Sequence, residues 1–111
     1  MKPNDTFTYN CFGQNYTCRM KPCRYENGNL AIRMVDAEDE SPIAIPSVNP
    51  GQVLEDGHIA VKDYSENAGM LEFLKDKLRI VGEPIAFIPS GFVVIPVCPL
   101  TEEGKELFEG V

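Results

Sequence analysis

Four cysteines and one histidine are the thiol and imidazole groups of this 111-residue chain. Their spacing sets the chemistry they could support. Cys18 and Cys23 form a C-x4-C pair around Lys21-Pro22, with Cys11 seven residues upstream. A turn at Pro22 would bring three thiolates together for a tetrahedral zinc, with Cys98 or His58 as the fourth ligand. Such a zinc would be structural, because nothing nearby pairs an open coordination position with a general base. The competing reading makes the cysteines small apolar residues of the core. A regular strand through residues 16–23 would favour that reading, since Cys18 and Cys23 would then point to opposite faces.

Other reactive patterns are sparse. His58 could serve as a hydrolase base only if Asp56 or Asp63 oriented it. Ser90, in Pro-Ser-Gly-Phe, lacks the nucleophile-elbow pattern. Gly51, Gly57, Gly104 and Gly110 have neither the spacing nor the lysine of a phosphate-cradling loop. The acidic run Asp36, Glu38, Asp39 and Glu40 does not match a calcium-binding loop, which needs a glycine at its sharp turn. It reads either as a solvated loop or as part of a carboxylate surface. That surface would include Glu55 and Asp56 and the helix acids Glu66, Glu72 and Asp76, and it would complement a basic groove built for a polyanion. Arg19, Lys21, Arg24 and Arg33, interleaved with Tyr16 and Tyr25, could bind RNA on a sheet face. Cross-strand pairing with acids explains them equally well.

These residues need elements to hold them. Thr6–Tyr9 and Tyr16–Met20 alternate around the turn-forming Asn10–Asn15 and predict a hairpin. Glu26-Asn27-Gly28-Asn29 is a turn before a third strand, Leu30–Val35. The prolines of Pro42–Val48 demote it to an edge strand. His58–Val61 predicts another short strand. Asp63 and Glu66 resemble a capping box before Met70, Leu71, Leu74 and Leu78 at helical spacing, which predicts a helix over Ser65–Leu78. Pro84–Ile88 and Gly91–Val97 flank Pro89-Ser90 as a last hairpin. Thr101 could cap a short C-terminal helix, with Leu107 and Phe108 touching the body. The sum is one compact α+β domain over residues 1–111, a mostly antiparallel sheet with one principal helix packed on it and a short C-terminal helix.

Charge is sorted along the chain. Residues 1–35 hold five basic and two acidic side chains, and residues 36–111 hold five and fifteen. The net charge of −7 repels nucleic acid, so an acidic surface offered to a basic partner is the better reading. No apolar run approaches the ~18–20 residues of a membrane span, and MKPNDTFTYN lacks the apolar stretch of a signal peptide. A cytoplasmic protein with reduced thiols is expected.

One pattern of residues is more specific. Phe7-Thr8-Tyr9, Tyr16-Thr17, Tyr25-x-Asn27-Gly28-Asn29-Leu30-Ala31-Ile32, Val48-Asn49, Asp63-Tyr64-Ser65-Glu66-Asn67, Gly82-Glu83-Pro84, Ser90-Gly91-Phe92 and Pro96 follow one another along the chain. In this order they resemble an uncharacterised family of small proteins carried by phages and conjugative elements of Gram-positive and gut bacteria. The resemblance implies a small α+β domain of mobile-element origin, acting in a bacterial host cell. The chain departs from the pattern in its longer Cys11–Asn15 turn and in its cysteines, so a metal site would be peculiar to it or to a subgroup. In class it also resembles phage anti-CRISPR proteins, which are short, acidic and free of catalytic motifs. The expected function is therefore non-enzymatic inhibition of a CRISPR effector nuclease by an acidic surface that blocks target-DNA loading. The alternative is a zinc-stabilised structural or adaptor module of a mobile element.

Overall fold

The structure is a computed structural model that describes residues 1–111. Strand β1 (Thr6–Cys11) alternates exposed and half-buried residues, as the period-two pattern requires. It joins β2 (Gln14–Arg24) through Phe12-Gly13, whose φ angles of 50° and 82° are the double positive of a tight type I′ hairpin turn. The turn predicted over Asn10–Asn15 thus shrinks to two residues, and Cys11 pairs directly with Gln14. β2 runs unbroken through Pro22, which lies opposite Ile32 of β3 (Leu30–Asp36). The proline is tolerated there because the β1 pairing ends at Arg19, so no strand on that side needs its missing N–H. β4 (Pro42–Ala44) completes the order β1-β2-β3-β4 as an edge, as its prolines predict.

Beyond β4 the chain bends into a second sheet. Ser47 bridges Val61, and the Lys62 N–H donates to the Pro46 carbonyl at 2.8 Å. This sheet contains β5 (His58–Ala60), β6 (Ala86–Ser90) and β7 (Val93–Pro99) in the order β5-β7-β6. Its hairpin turns at Gly91-Phe92 rather than Pro89-Ser90. Gly91 takes φ +62° at the first turn position, where tight hairpins favour glycine, and Pro89 sits within the edge strand.

The helix predicted over Ser65–Leu78 is broken. Ser65–Asn67 forms a 3-10 turn, Gly69 turns left-handed at φ +93°, and α1 (Met70–Glu72) then widens into a π turn, Phe73–Lys77. Periodicity captured the buried face, Met70 and Leu74, but overrode the glycine that interrupts it. Asp63 does not close a capping box with Glu66. Its carboxylate accepts from the Leu71 N–H at 2.9 Å and so caps α1 instead. α2 (Glu102–Leu107) has Thr101 as its cap, the hydroxyl accepting from the Gly104 N–H at 3.1 Å.

One contiguous core joins both sheets. Cys18, Met20, Ile32 and Met34 line the inner face of the first, Ile59 and Cys98 come from the second, and Met70, Leu74, Leu107 and Phe108 fill the space between. Each large apolar side chain so buried contributes ~1.5–3 kcal/mol. The result is the α+β architecture that the pattern predicts, with two antiparallel sheets instead of one. No helix is long and apolar enough to cross a membrane.

Candidate functional site

The acidic turn after β3 is built from its own carboxylates. The Asp36 carboxylate accepts from the Glu38 N–H at 2.8 Å, and the Asp36 carbonyl accepts from the Glu40 N–H at 2.9 Å. The Asp39 carboxylate accepts from the Ser41 N–H at 2.9 Å, and the Ala37 N–H ties the turn to the Thr17 carbonyl of β2. Aspartate suits these positions because its short side chain bonds the backbone two residues on. The Ser41 bond holds the Asp39 carboxyl below its ordinary range. The turn thus presents Glu38 and Asp39 to solvent, neither in an ion pair.

Glu40 points elsewhere. At φ +62° it turns back onto the outer face of the first sheet, where its carboxylate pairs with Lys21 and, at 2.9 Å, with Arg19. The lysine first, then the arginine, lowers the Glu40 pKa. Cross-strand neutralisation, one of the two readings of the basic residues, therefore accounts for Arg19 and Lys21. Arg33 lies directly opposite Lys21 and has no ion-pair partner. Arg24 is spent on backbone carbonyls, those of Gly28 at 2.7 Å and Val111 at 3.3 Å.

The other nominated acids are dispersed. Glu66 pairs with Lys62 at 2.5 Å, and Asp76 lies 3.6 Å from Lys75. Glu72 is exposed and unpaired at the end of α1, and the π turn that follows packs on the inner side of the first sheet through Phe73, whose ring meets Phe7 and Tyr9. Glu55 and Asp56 are exposed near the start of β3, where the Leu54 N–H donates to Asn29 at 2.9 Å. The acidic turn leaves the other end of that strand, ~20 Å away at the usual rise per residue. The nine acids thus form separate patches, with the turn at 36–40 the densest.

The cysteines are also separated. The uninterrupted β2 puts Cys18 with the inward Met20 and puts Cys23 with Lys21 on the outer face. Cys11 ends β1, Cys98 is buried in β7, and no three His, Cys, Asp or Glu side chains are grouped as metal ligands. The zinc reading has no preassembled ligand set in this geometry. His58 bonds the Asp56 carbonyl through Nδ1 at 3.0 Å, and Asp63 is engaged as the α1 cap, so neither carboxylate orients the imidazole.

Sequence reasoning missed an apolar surface. Ile85, Phe87, Phe92 and Val94, all on or beside the β6–β7 hairpin, are exposed. The available signal is the absence of any charged residue from Pro84 to Thr101, the stretch that predicts the last hairpin. No protein-family model, curated protein or solved structure matches this chain.

Proposed function

We propose that this chain is a non-enzymatic inhibitor of a bacterial defence complex, an anti-CRISPR type of protein that binds the effector nuclease and blocks target-DNA loading. The observation that carries this reading is the acidic turn, whose hydrogen bonds fix the Glu38 backbone and the Asp39 carboxylate and leave both acids outside any ion pair. Effector nucleases hold guide and target in basic channels, and fixed carboxylates can take the place of phosphates there. Rigidity matters because the Asp39 carboxylate, held by the Ser41 N–H, loses little freedom on contact, while Glu38 is fixed only at its backbone. Glu40 and Glu66 contribute less, since each is already compensated by this chain's own cations. Glu72, Glu55 and Asp56 lie in separate exposed patches and are secondary to the turn.

The test is target-DNA loading and cleavage by purified effector nucleases, with the wild type and with Glu38→Lys/Asp39→Lys. Two reversed charges against a basic groove change the interaction by several kcal/mol at an effective dielectric near 20, so binding should weaken at least ~100-fold. Full inhibition by a folded double variant would remove the turn from the mechanism. Failure of the wild type to bind any effector at low salt would remove the proposal.

A further inference from the structure

Eighteen residues, Pro84 to Thr101, pass without a charged side chain in a chain that is 24% charged. The register of β6 and β7 sorts them onto two faces. Phe87 opposes Pro96 and Pro89 opposes Val94 on one face, while Ala86 opposes Val97 and Ile88 opposes Ile95 on the other. On the second face Ile95 and Val97 are buried. On the first, burial reaches Cys98 and Pro96 and stops there, because the last bond from the β5 side runs from the Val61 N–H to the Pro96 carbonyl. The distal half of the hairpin therefore projects past its neighbouring strand. Phe87 is 61% exposed there, Val94 55%, and Ile85, in line with Phe87, 63%; Phe92 at the turn is fully exposed. Together they offer on the order of 500 Å² of apolar surface, judged from the usual area of such side chains. A patch of that size is in the upper part of the range for the largest apolar patch on a single chain, and such patches are often functional.

We infer that this strip is where two copies of the chain associate about a two-fold axis. A two-fold contact places a patch against itself, so any acid within it would face its own copy. In a chain of net charge −7, the longest charge-free interval is the region that escapes this. Composition points the same way, since homodimer interfaces are distinctly apolar while contacts with a transient partner are no more apolar than ordinary surface. The area fits too. The strip supplies more than half of the ~800 Å² per partner of a standard interface, and the surrounding Pro89, Ser90 and edge backbone of β6 extend it. Pro89 has no N–H to offer, so β6 is a poor template for adding a strand edge to edge. The contact is therefore face to face, with the two hairpins packed at the ~10 Å spacing of stacked sheets.

Sedimentation equilibrium of the purified full chain tests this directly. The wild type should show a monomer–dimer equilibrium with the dimer dominant at micromolar concentration. Phe87→Glu/Val94→Glu should raise the dissociation constant at least ~100-fold, because four carboxylates would have to be buried together at the axis. Both side chains face solvent in the single chain, so the variant should keep the wild-type circular dichroism spectrum. Hydrogen exchange of the wild type at low and high concentration gives a second readout, with protection gained at residues 85–94. A single-chain mass at every concentration overturns the inference, as does a dimer indifferent to the double substitution or protected elsewhere. All of this is read on the chain alone, so the result is separate from whether the acidic turn binds an effector.

Discussion

Each thiol sits in its own electrostatic setting, and reactivity follows from it. Burial pushes the Cys98 thiol up to about 11, and the Glu83 and Asp63 carboxylates add to the effect. Burial likewise raises Cys18, with Asp36 next in importance. Since the thiolate is the nucleophile, both should be silent toward alkylation in the native protein. Cys11 and Cys23 are only half-buried and should be labelled. Iodoacetamide at mildly alkaline pH, read by peptide mass spectrometry, should therefore modify Cys11 and Cys23 first and the other two only after unfolding. A chelator should change nothing. If it unmasked Cys11 or Cys23, a bound metal would be protecting them and the zinc-module alternative would return. Other residues were legible as turn formers but not as staples. Asn29, part of the Glu26–Asn29 turn signal, is buried and bonds Asn49, the Gln52 carbonyl and the Leu54 N–H, fixing the loop at 49–54. Its partners lie twenty residues or more away, beyond the reach of any local pattern.

At the level of elements, strands were more legible than helices, and the reason is the length of the signal. β1 and much of β2 alternate over enough residues to declare their inner face, β3 is apolar and buried along most of its length, and Pro42 marks β4 as an edge. The helical region offered an apolar stripe whose spacing is shared by a continuous helix and by three short pieces with their apolar residues on one side. Only Gly69 distinguished them. The C-terminal helix shows the converse case, where a glycine inside a helix is demanded by packing. A Cβ on Gly104 would lie 2.0 Å from the Ile80 carbonyl oxygen, a backbone atom that also accepts from the Thr101 N–H. Gly→Ala in an open helix stabilises by up to ~1 kcal/mol. Here the collision wins, because backbone cannot rotate away as a side chain can. Gly104→Ala should destabilise the fold by ~1–3 kcal/mol, the usual cost of overpacking. Thermal unfolding should register it as a drop of about 4–8 °C per kcal/mol for a domain near this size. An unchanged or raised melting temperature would mean that α2 is free to shift off the 79–81 segment.

On the scale of the whole molecule, the sorted charge of the sequence becomes an unbalanced surface. Six of the 17 acidic side chains meet a cation within ion-pair distance, leaving eleven that do not. The body measures 34 × 32 × 25 Å. At ~0.01 M salt the screening length is ~30 Å, so every carboxylate feels every other across the molecule, whereas at ~0.15 M it falls to ~8 Å and the repulsion becomes local. Salt also weakens the ion pairs, but exposed pairs contribute only ~0–1 kcal/mol each, and relief of the net repulsion outweighs that loss. The melting temperature should therefore rise by a few degrees as sodium chloride is added. Binding to a basic channel should move the opposite way, since the same screening removes the attraction that the acidic turn supplies. The two responses separate a lost complex from a lost fold: at high salt the chain should release its partner while unfolding at a higher temperature than before. A melting temperature that fell along with affinity would mean that the ion pairs, above all Glu40 with Arg19 and Lys21, dominate this surface and that its carboxylates are held for the fold.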